Sequence, residues 1–385
     1  GQNPLTSTHT FYPLGISLVF YTYNLFNAII SLPLQPYLSL PAISNLTFLF
    51  ATVFSGYGTF LLVYYLVRTT ESQVPNRQSP MSNIRLLASF LAGLIYAFGS
   101  YRMIYAAIGH YNLWSTIWIP FYALYLTKTV HESRLRNAVL AAIFLILALL
   151  CDLQFGVFLS MLTLIVVAFA LLGRDRASVA GGASGLLKRL AVLGLVTLVL
   201  YAPILLPVLR ETFGGYELAG WGDAEKLSVD LVGLLTPTAL HPLGGDWADT
   251  LRQTREGTAR FRDVNTLFLG WAGLVLALIG AVRYWRRLKI WIASFIVFAI
   301  LSLGPLLQIN GRSIFDLDGL NVNVPLPFIL LHYIPLVKAN RVPNRFGVLV
   351  MLALAVLAGF GDVCLLKQVT NNRSTDARVL ASVGA

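Results

Sequence analysis

Hydrophobic runs of membrane-crossing length follow one another along most of this chain, and the connections between them alternate in charge. One set of connections is basic. It carries Arg68, Arg77 and Arg85; then Lys128, Arg134 and Arg136; then Arg174, Arg176, Lys188 and Arg189; then Arg283, Arg286, Arg287 and Lys289; and finally Lys367, Arg373 and Arg378. The intervening set is poor in acids except for the connection 210–265, which holds Glu211, Glu217, Asp223, Glu225, Asp230, Asp246, Asp249, Glu256 and Asp263. Short Lys/Arg-rich segments resist translocation, so the basic connections read as cytoplasmic and the acidic one as external. The pattern predicts a polytopic all-α membrane bundle.

Composition agrees. Mean hydropathy is +0.72 and 57% of residues are hydrophobic, while charged residues make up 12%. A soluble domain carries about twice that charged fraction. The formal charge of +11 does not indicate a nucleic-acid partner, because the cations sit where anionic lipid headgroups would meet them. Cys151 and Cys364 lie in or beside apolar runs and form neither a disulfide framework nor a ligand pair.

A helix needs about 20 apolar residues to cross, with tilt and snorkelling widening the range. Crossings are expected near 44–67, 86–100, 112–127, 137–151, 155–172, 190–209, 266–282, 290–308 and 346–366, about nine in all. This divides the chain into an outer interfacial segment (1–43), the bundle with its outer loop 210–265 (44–366), and a polar, disordered cytoplasmic tail (367–385). The run from Phe11 to Leu34 is long enough to cross, but Pro13, Gly15, Asn24, Asn27 and Pro33 interrupt it, and residues 1–12 hold no Lys or Arg. It reads as lying on the outer surface. An outer start, with Gly1 in place of Met, implies an earlier span and therefore an N-terminally truncated sequence.

Several short segments carry a resemblance. Gly1-Gln2-Asn3-Pro4 with Phe11-Tyr12-Pro13-Leu14-Gly15 resembles the first outer loop of bacterial integral-membrane glycosyltransferases of GT-C fold, relatives of the protein mannosyltransferases. Phe98-Gly99-Ser100-Tyr101-Arg102, Gly109-His110-Tyr111-Asn112-Leu113, Asp152-Leu153-Gln154-Phe155, Leu240-His241-Pro242-Leu243 and Arg341-Val342-Pro343-Asn344-Arg345-Phe346 resemble further segments of that group. The resemblance implies a polyprenyl-phosphate sugar as donor, a glycan, lipid or protein acceptor, and transfer at the outer face of the bacterial cytoplasmic membrane. It also implies a catalytic Asp or Glu in the first outer loop. No acid precedes Glu71, which reads as cytosolic, so that position is missing from this sequence.

Candidate site residues are polar groups at the outer ends of spans, where a charge is costly unless it does something. Asp152 lies in a very short connection and can serve as the base that takes a proton from the acceptor hydroxyl. It can equally serve as a helix cap. Arg341 and Arg345 are four apart and would share a face if helical. Their forked guanidinium groups suit the phosphate leaving group, or simply snorkel to headgroups. Arg102 and Lys338 are weaker versions of the same idea. His110 can contact a phosphate or a sugar hydroxyl, or anchor at the interface beside Trp114 and Trp118. Gln154, Asp223 (beside Trp221) and Asp263 are further substrate-contact candidates. His241 precedes Pro242 and suits a turn. Asp316-Leu317-Asp318 is a two-acid metal match, but Asn310-Gly311 and Gly319 mark a turn region. No His/Cys cluster has zinc spacing, and no cofactor is expected. Two other functions compete with sugar transfer: a transporter or flippase of a lipid-linked sugar, and a non-catalytic protein that keeps the fold. Against the transporter, no related halves are visible, and the span centres hold almost no charge.

Overall fold

A computed structural model of the chain describes residues 6–9, 11–20, 24–71, 81–172, 179–214, 224–238, 266–334 and 337–383. The fold is helical. In chain order the helices are α1 (Leu25–Ser31), α2 (Leu40–Glu71), α3 (Met81–Ala97), α4 (Ser100–Ala107), α5 (Tyr111–Trp114), α6 (Trp118–His131), α7 (Leu135–Cys151), α8 (Leu153–Leu172), α9 (Gly182–Phe213), α10 (Trp271–Arg283), α11 (Lys289–Ser302) and α12 (Gly347–Val383). Two small antiparallel pairs accompany them, β1 (Thr6–Ser7) with β2 (Ile16–Ser17) and β3 (Phe315–Leu317) with β4 (Leu320–Val322).

Among the described residues five helical stretches are long and apolar enough to cross a membrane: Leu40–Thr70, Ser82–Ala107, Leu153–Leu172, Gly182–Phe213 and Pro343–Asn371. Two of them mark the extremes of the bundle. The Pro343–Asn371 stretch is apolar all round and 89% of its most apolar window is buried, the signature of a central helix. For Gly182–Phe213 the figure is 17%, and Leu187, Leu195, Leu198, Val199, Leu200 and Leu206 stand exposed. So large an apolar face is a solvent mismatch in water and a match in lipid.

α10 runs alongside α12 at very short range. A Cβ built on Gly361 would meet the Leu276 carbonyl oxygen at 2.0 Å, and one on Gly280 would meet that of Leu357 at 2.1 Å. Small residues Gly273, Ala277 and Gly280 form the buried face of α10 that permits this approach. Gly359 of α12 likewise abuts Val63 and Ala92, which ties α2 and α3 to the same central helix.

The basic connections meet at one end. The Arg189 guanidinium, at the start of α9, donates to the carbonyls of Thr129 (2.7 Å) and Ala180 (2.6 Å), and Tyr65 of α2 donates to Glu132 after α6 (3.2 Å). The N-terminal segment is held at the other end: Ser17 bonds Glu211 near the end of α9, and the Asn27 amide donates to Ser115 Oγ (2.6 Å) and the Tyr111 carbonyl (3.2 Å). Phe11–Leu34 therefore forms no single long helix among its described residues; it contributes the short strand β2, α1 and a 3-10 turn at Leu32–Leu34.

Several expected boundaries shift for local reasons. The run 86–100 ends at Ala97, and the chain restarts as α4 after Gly99. The main helix of 112–127 begins only at Trp118, with Pro120 in its first turn. The run 266–282 starts extended: Leu267 and Leu269 donate to the carbonyls of Gly233 (3.2 Å) and Leu234 (3.0 Å), and Gly270 at φ 75° precedes α10. The run 290–308 stops at Ser302, before Gly304 turns the chain at φ 79°. α10 and α11 have 13 and 14 residues, about 20 Å each at 1.5 Å per residue, short of a full hydrocarbon core. The tail expected to be disordered beyond Lys367 continues as helix to Val383; it contains no Pro or Gly before that point.

Candidate active site

At the end opposite the basic connections, residues from four parts of the chain converge on Asp152. It is the single residue between α7 and α8, with φ −157° and ψ 133°, an extended break that redirects one helix into the next. Its Oδ1 accepts the Gln154 backbone N–H (2.8 Å), which caps α8, and its Oδ2 accepts the Asn112 side-chain amide from α5 (2.5 Å). Asp152 is thus a cap, and it is also nearly inaccessible, 6% exposed.

The Gln154 side chain carries the network onward, its Oε1 accepting from Arg345 Nη1 at 2.7 Å. The carboxylate and the guanidinium therefore meet through Gln154 rather than directly. Arg345 belongs to a tight turn, Pro343–Phe346, that leads into α12. Phe346 anchors that turn: its ring is fully buried and lies 4.4 Å from Phe158, 6.1 Å from Phe298 and 6.2 Å from Phe328. The Asn344 N–H also bonds the Leu227 carbonyl (3.2 Å).

α4 supplies the opposite wall. Tyr101 and Tyr105 lie one turn apart with ring centroids at 4.8 Å, both close enough to Arg345 and Asp152 to feel their charges. His110 stacks on Tyr105 at 5.7 Å. The Tyr105 hydroxyl sits beside Arg345 in a geometry short of a full hydrogen bond. With the Tyr101 hydroxyl and Arg345 Nε, it is buried without a hydrogen-bond partner. Buried polar atoms in native proteins are nearly always paired, so three together mark a place where another group can bind.

Electrostatics follow from this packing. Burial raises the Asp152 carboxyl above its ordinary value of 3.8; Arg345, the Gln154 N–H and the Asn112 amide oppose the shift without cancelling it. Burial, and then the Arg345 charge, lower the His110 imidazole from 6.5. At neutral pH His110 is therefore neutral and able to accept a proton or hydrogen bond.

The remaining sequence candidates separate from this cluster. Arg341 is exposed and does not share a face with Arg345: no helix links them, because Val342 is non-helical (φ −121°, ψ 85°) and the turn begins only at Pro343. Arg102, also on α4, is buried and engaged. It donates to the carbonyls of Trp114 (2.9 Å) and Ala97 (2.5 Å) and to Thr52 Oγ1 (3.1 Å), with the Phe48 ring 5.6 Å away. Lys338 is exposed. Asp316, in β3, and Asp318, in the turn that leads to β4, are exposed; Asp316 accepts the Gly319 N–H (2.7 Å) and Asp318 takes φ 53°. No group of three or more potential metal ligands occurs among the described residues. Asp223, Asp263, Trp221 and His241 lie outside the described residues.

Sequence reasoning passed over Tyr101, Tyr105 and Asn112 as site residues. The tyrosine pair at i, i+4 spacing on a short helix was the available signal. It also treated Asp230 as a loop acid, whereas Asp230 is buried and accepts the backbone N–H groups of Val232 (2.9 Å), Asn310 (3.1 Å) and Gly311 (2.7 Å). No family model, curated protein or solved structure matches this chain.

Proposed function

We propose that this protein is a membrane glycosyltransferase of GT-C type, crossing the membrane about nine times, that moves a sugar from a polyprenyl-phosphate donor to an acceptor hydroxyl at the extracytoplasmic face. The observation that carries the reading is the convergence of Asp152, Gln154, Arg345 and His110 at the end opposite the basic connections, beside three buried, unpartnered polar atoms. In this reading Asp152 is the base. A carboxyl whose proton affinity has been raised by burial accepts a proton better at neutral pH. Arg345 and the two phenols hold the phosphate as its charge grows, and His110 contacts the sugar or the phosphate. The reaction is a direct displacement: the acceptor oxygen bonds to the anomeric carbon as the bond to the phosphate oxygen breaks.

One observation favours a non-catalytic alternative. Both oxygens of Asp152 already accept a hydrogen bond, as a purely structural cap would. Sugar transfer from a polyprenyl-phosphate donor in liposomes separates the two. Arg345→Ala should lower the rate by about 30- to 1000-fold, the scale of one lost charge-stabilising contact. Arg345→Lys should recover only part, because an ammonium cannot fork to two oxygens. Wild-type turnover by well-expressed Arg345→Ala would end this assignment.

A further inference from the structure

At the basic end, a cavity of about 390 Å³ opens between the ends of α2 and α6 and the start of α7. Four cations line it, Arg68, Lys128, Arg134 and Arg136, against one acid, Glu132. That acid is occupied: Oε1 accepts from Tyr65 (3.2 Å) and Oε2 from the Asn137 amide (3.0 Å), so it braces two walls of the cavity. The Lys128 ammonium is held 5.1 Å from the Tyr65 ring and 5.0 Å from the Tyr125 ring, contacts that fix its position and leave its charge intact. Arg68, Arg134 and Arg136 are exposed, and none of their guanidinium groups donates a hydrogen bond to another described residue.

We infer that this cavity binds the headgroup of an anionic phospholipid. The charge surplus calls for an anion, and guanidinium groups suit the oxygens of a phosphodiester. The volume falls in the range of small-molecule sites. The apolar side points to a lipid rather than a soluble phosphate compound. Leu140 lines the cavity, and Ile143, one turn along the same face of α7, is 36% exposed, which continues an apolar wall toward the hydrocarbon. Basic pockets between helices at a membrane surface are suited to such headgroups. The inference does not depend on sugar transfer, since the cavity lies at the other end of the bundle from Asp152.

The test titrates the purified full chain in zwitterionic detergent with phosphatidylglycerol, phosphatidylcholine and sodium phosphate, following thermal unfolding and the lipid retained in native mass spectrometry. Phosphatidylglycerol should stabilise the protein and stay bound; phosphatidylcholine should do neither. Each basic residue near a headgroup is worth roughly fivefold in affinity, so Arg134→Gln/Arg136→Gln should weaken the effect by about 25-fold. Arg286→Gln/Arg287→Gln, the same charge change in another basic connection, should leave it within about twofold. Arg68→Gln, at an exposed position, serves as a second test variant if the first folds poorly. Equal loss in the Arg286/Arg287 control would reduce the effect to general attraction and overturn the site. Equal stabilisation by phosphatidylcholine would overturn the headgroup preference, and equal stabilisation by phosphate alone would overturn a lipid as the ligand.

Discussion

Arg102 is the residue on which a binding role and a structural role predict opposite results. Its guanidinium sits 1% exposed and ties together the end of α3, the end of α5 and the middle of α2. Arg102→Met keeps much of the aliphatic volume and removes all three donations. Thr52 Oγ1 retains its bond to the Phe48 carbonyl (2.8 Å), so it is not orphaned. The Trp114 carbonyl keeps the Thr116 N–H (2.8 Å), so the Ala97 carbonyl is the one that loses its donor in a buried setting. Such an orphan costs about 1–3 kcal/mol. Relief from burying the guanidinium itself moves the net effect toward the lower figure. Even about 1 kcal/mol is a measurable part of a typical folding free energy of about 5–15 kcal/mol. The expected outcome is a fall in unfolding temperature of about 1–4 °C in detergent, with Arg102→Lys in between. Binding of a polyprenyl-phosphate donor by whatever protein remains folded should be unchanged. An Arg102→Met protein that unfolds like wild type yet loses donor binding would refute the staple argument and return Arg102 to the substrate.

Two further predictions follow from packing and charge. Gly361→Ala places a methyl 2.0 Å from the Leu276 carbonyl oxygen, so α10 must shift by more than 1 Å; overpacking of this kind costs about 1–3 kcal/mol, whereas Gly194→Ala, with open space around it, should be neutral or stabilising by up to about 1 kcal/mol. Thermal melts of the two variants that fall together would contradict the close α10–α12 approach. For Asp152, the folded state holds its proton more tightly than the unfolded chain does, so its contribution to stability is full below about pH 4 and is lost as pH rises through the raised folded value. Asn caps helices as well as Asp does; Asp152→Asn should therefore gain on wild type as pH rises from 4 to 8 while losing sugar transfer, and a stability gap that stays flat or narrows over that range would remove the desolvated-carboxylate argument.

Period and charge made the bundle legible. Apolar runs bounded by Arg68, Lys128, Arg189 and Arg283 became helices, and several of those cations now share one end of the molecule. The position of Asp152 was legible too, because a connection of three residues between the runs 137–151 and 155–172 has nowhere else to go. Helix ends were less so. Whether 266–270 is helix or extended backbone depends on carbonyls 34 and 35 residues earlier in the chain, at Gly233 and Leu234, which no local pattern reports. The burial of Asp230 is hidden from the sequence for the same reason. Besides the Val232 N–H, it accepts N–H groups about 80 residues away, presented by a turn at Asn310 and Gly311, which both adopt positive φ. The Arg341–Arg345 pair failed on a local signal that was present, since Pro343 between them delays the turn.

The site itself was half legible, and the missing half is the part that gives Asp152 its chemistry. A sequence shows an acid at a helix junction and cannot say whether it faces water. A solvated Asp152 would be a cap and little more. Here α4 and α5 cover it: Asn112 reaches its second oxygen, and Tyr101 and Tyr105 close the space toward Arg345. Burial then does two opposed things. It raises the affinity of the carboxylate for a proton, which suits a base, and it leaves the Tyr101 and Tyr105 hydroxyls and Arg345 Nε without partners, which costs stability. A structural cap needs neither effect, since the Gln154 N–H bond would form equally well in a wet junction. The presence of both beside one capped acid is the physical reason to treat this junction as a site rather than only as a bend between α7 and α8.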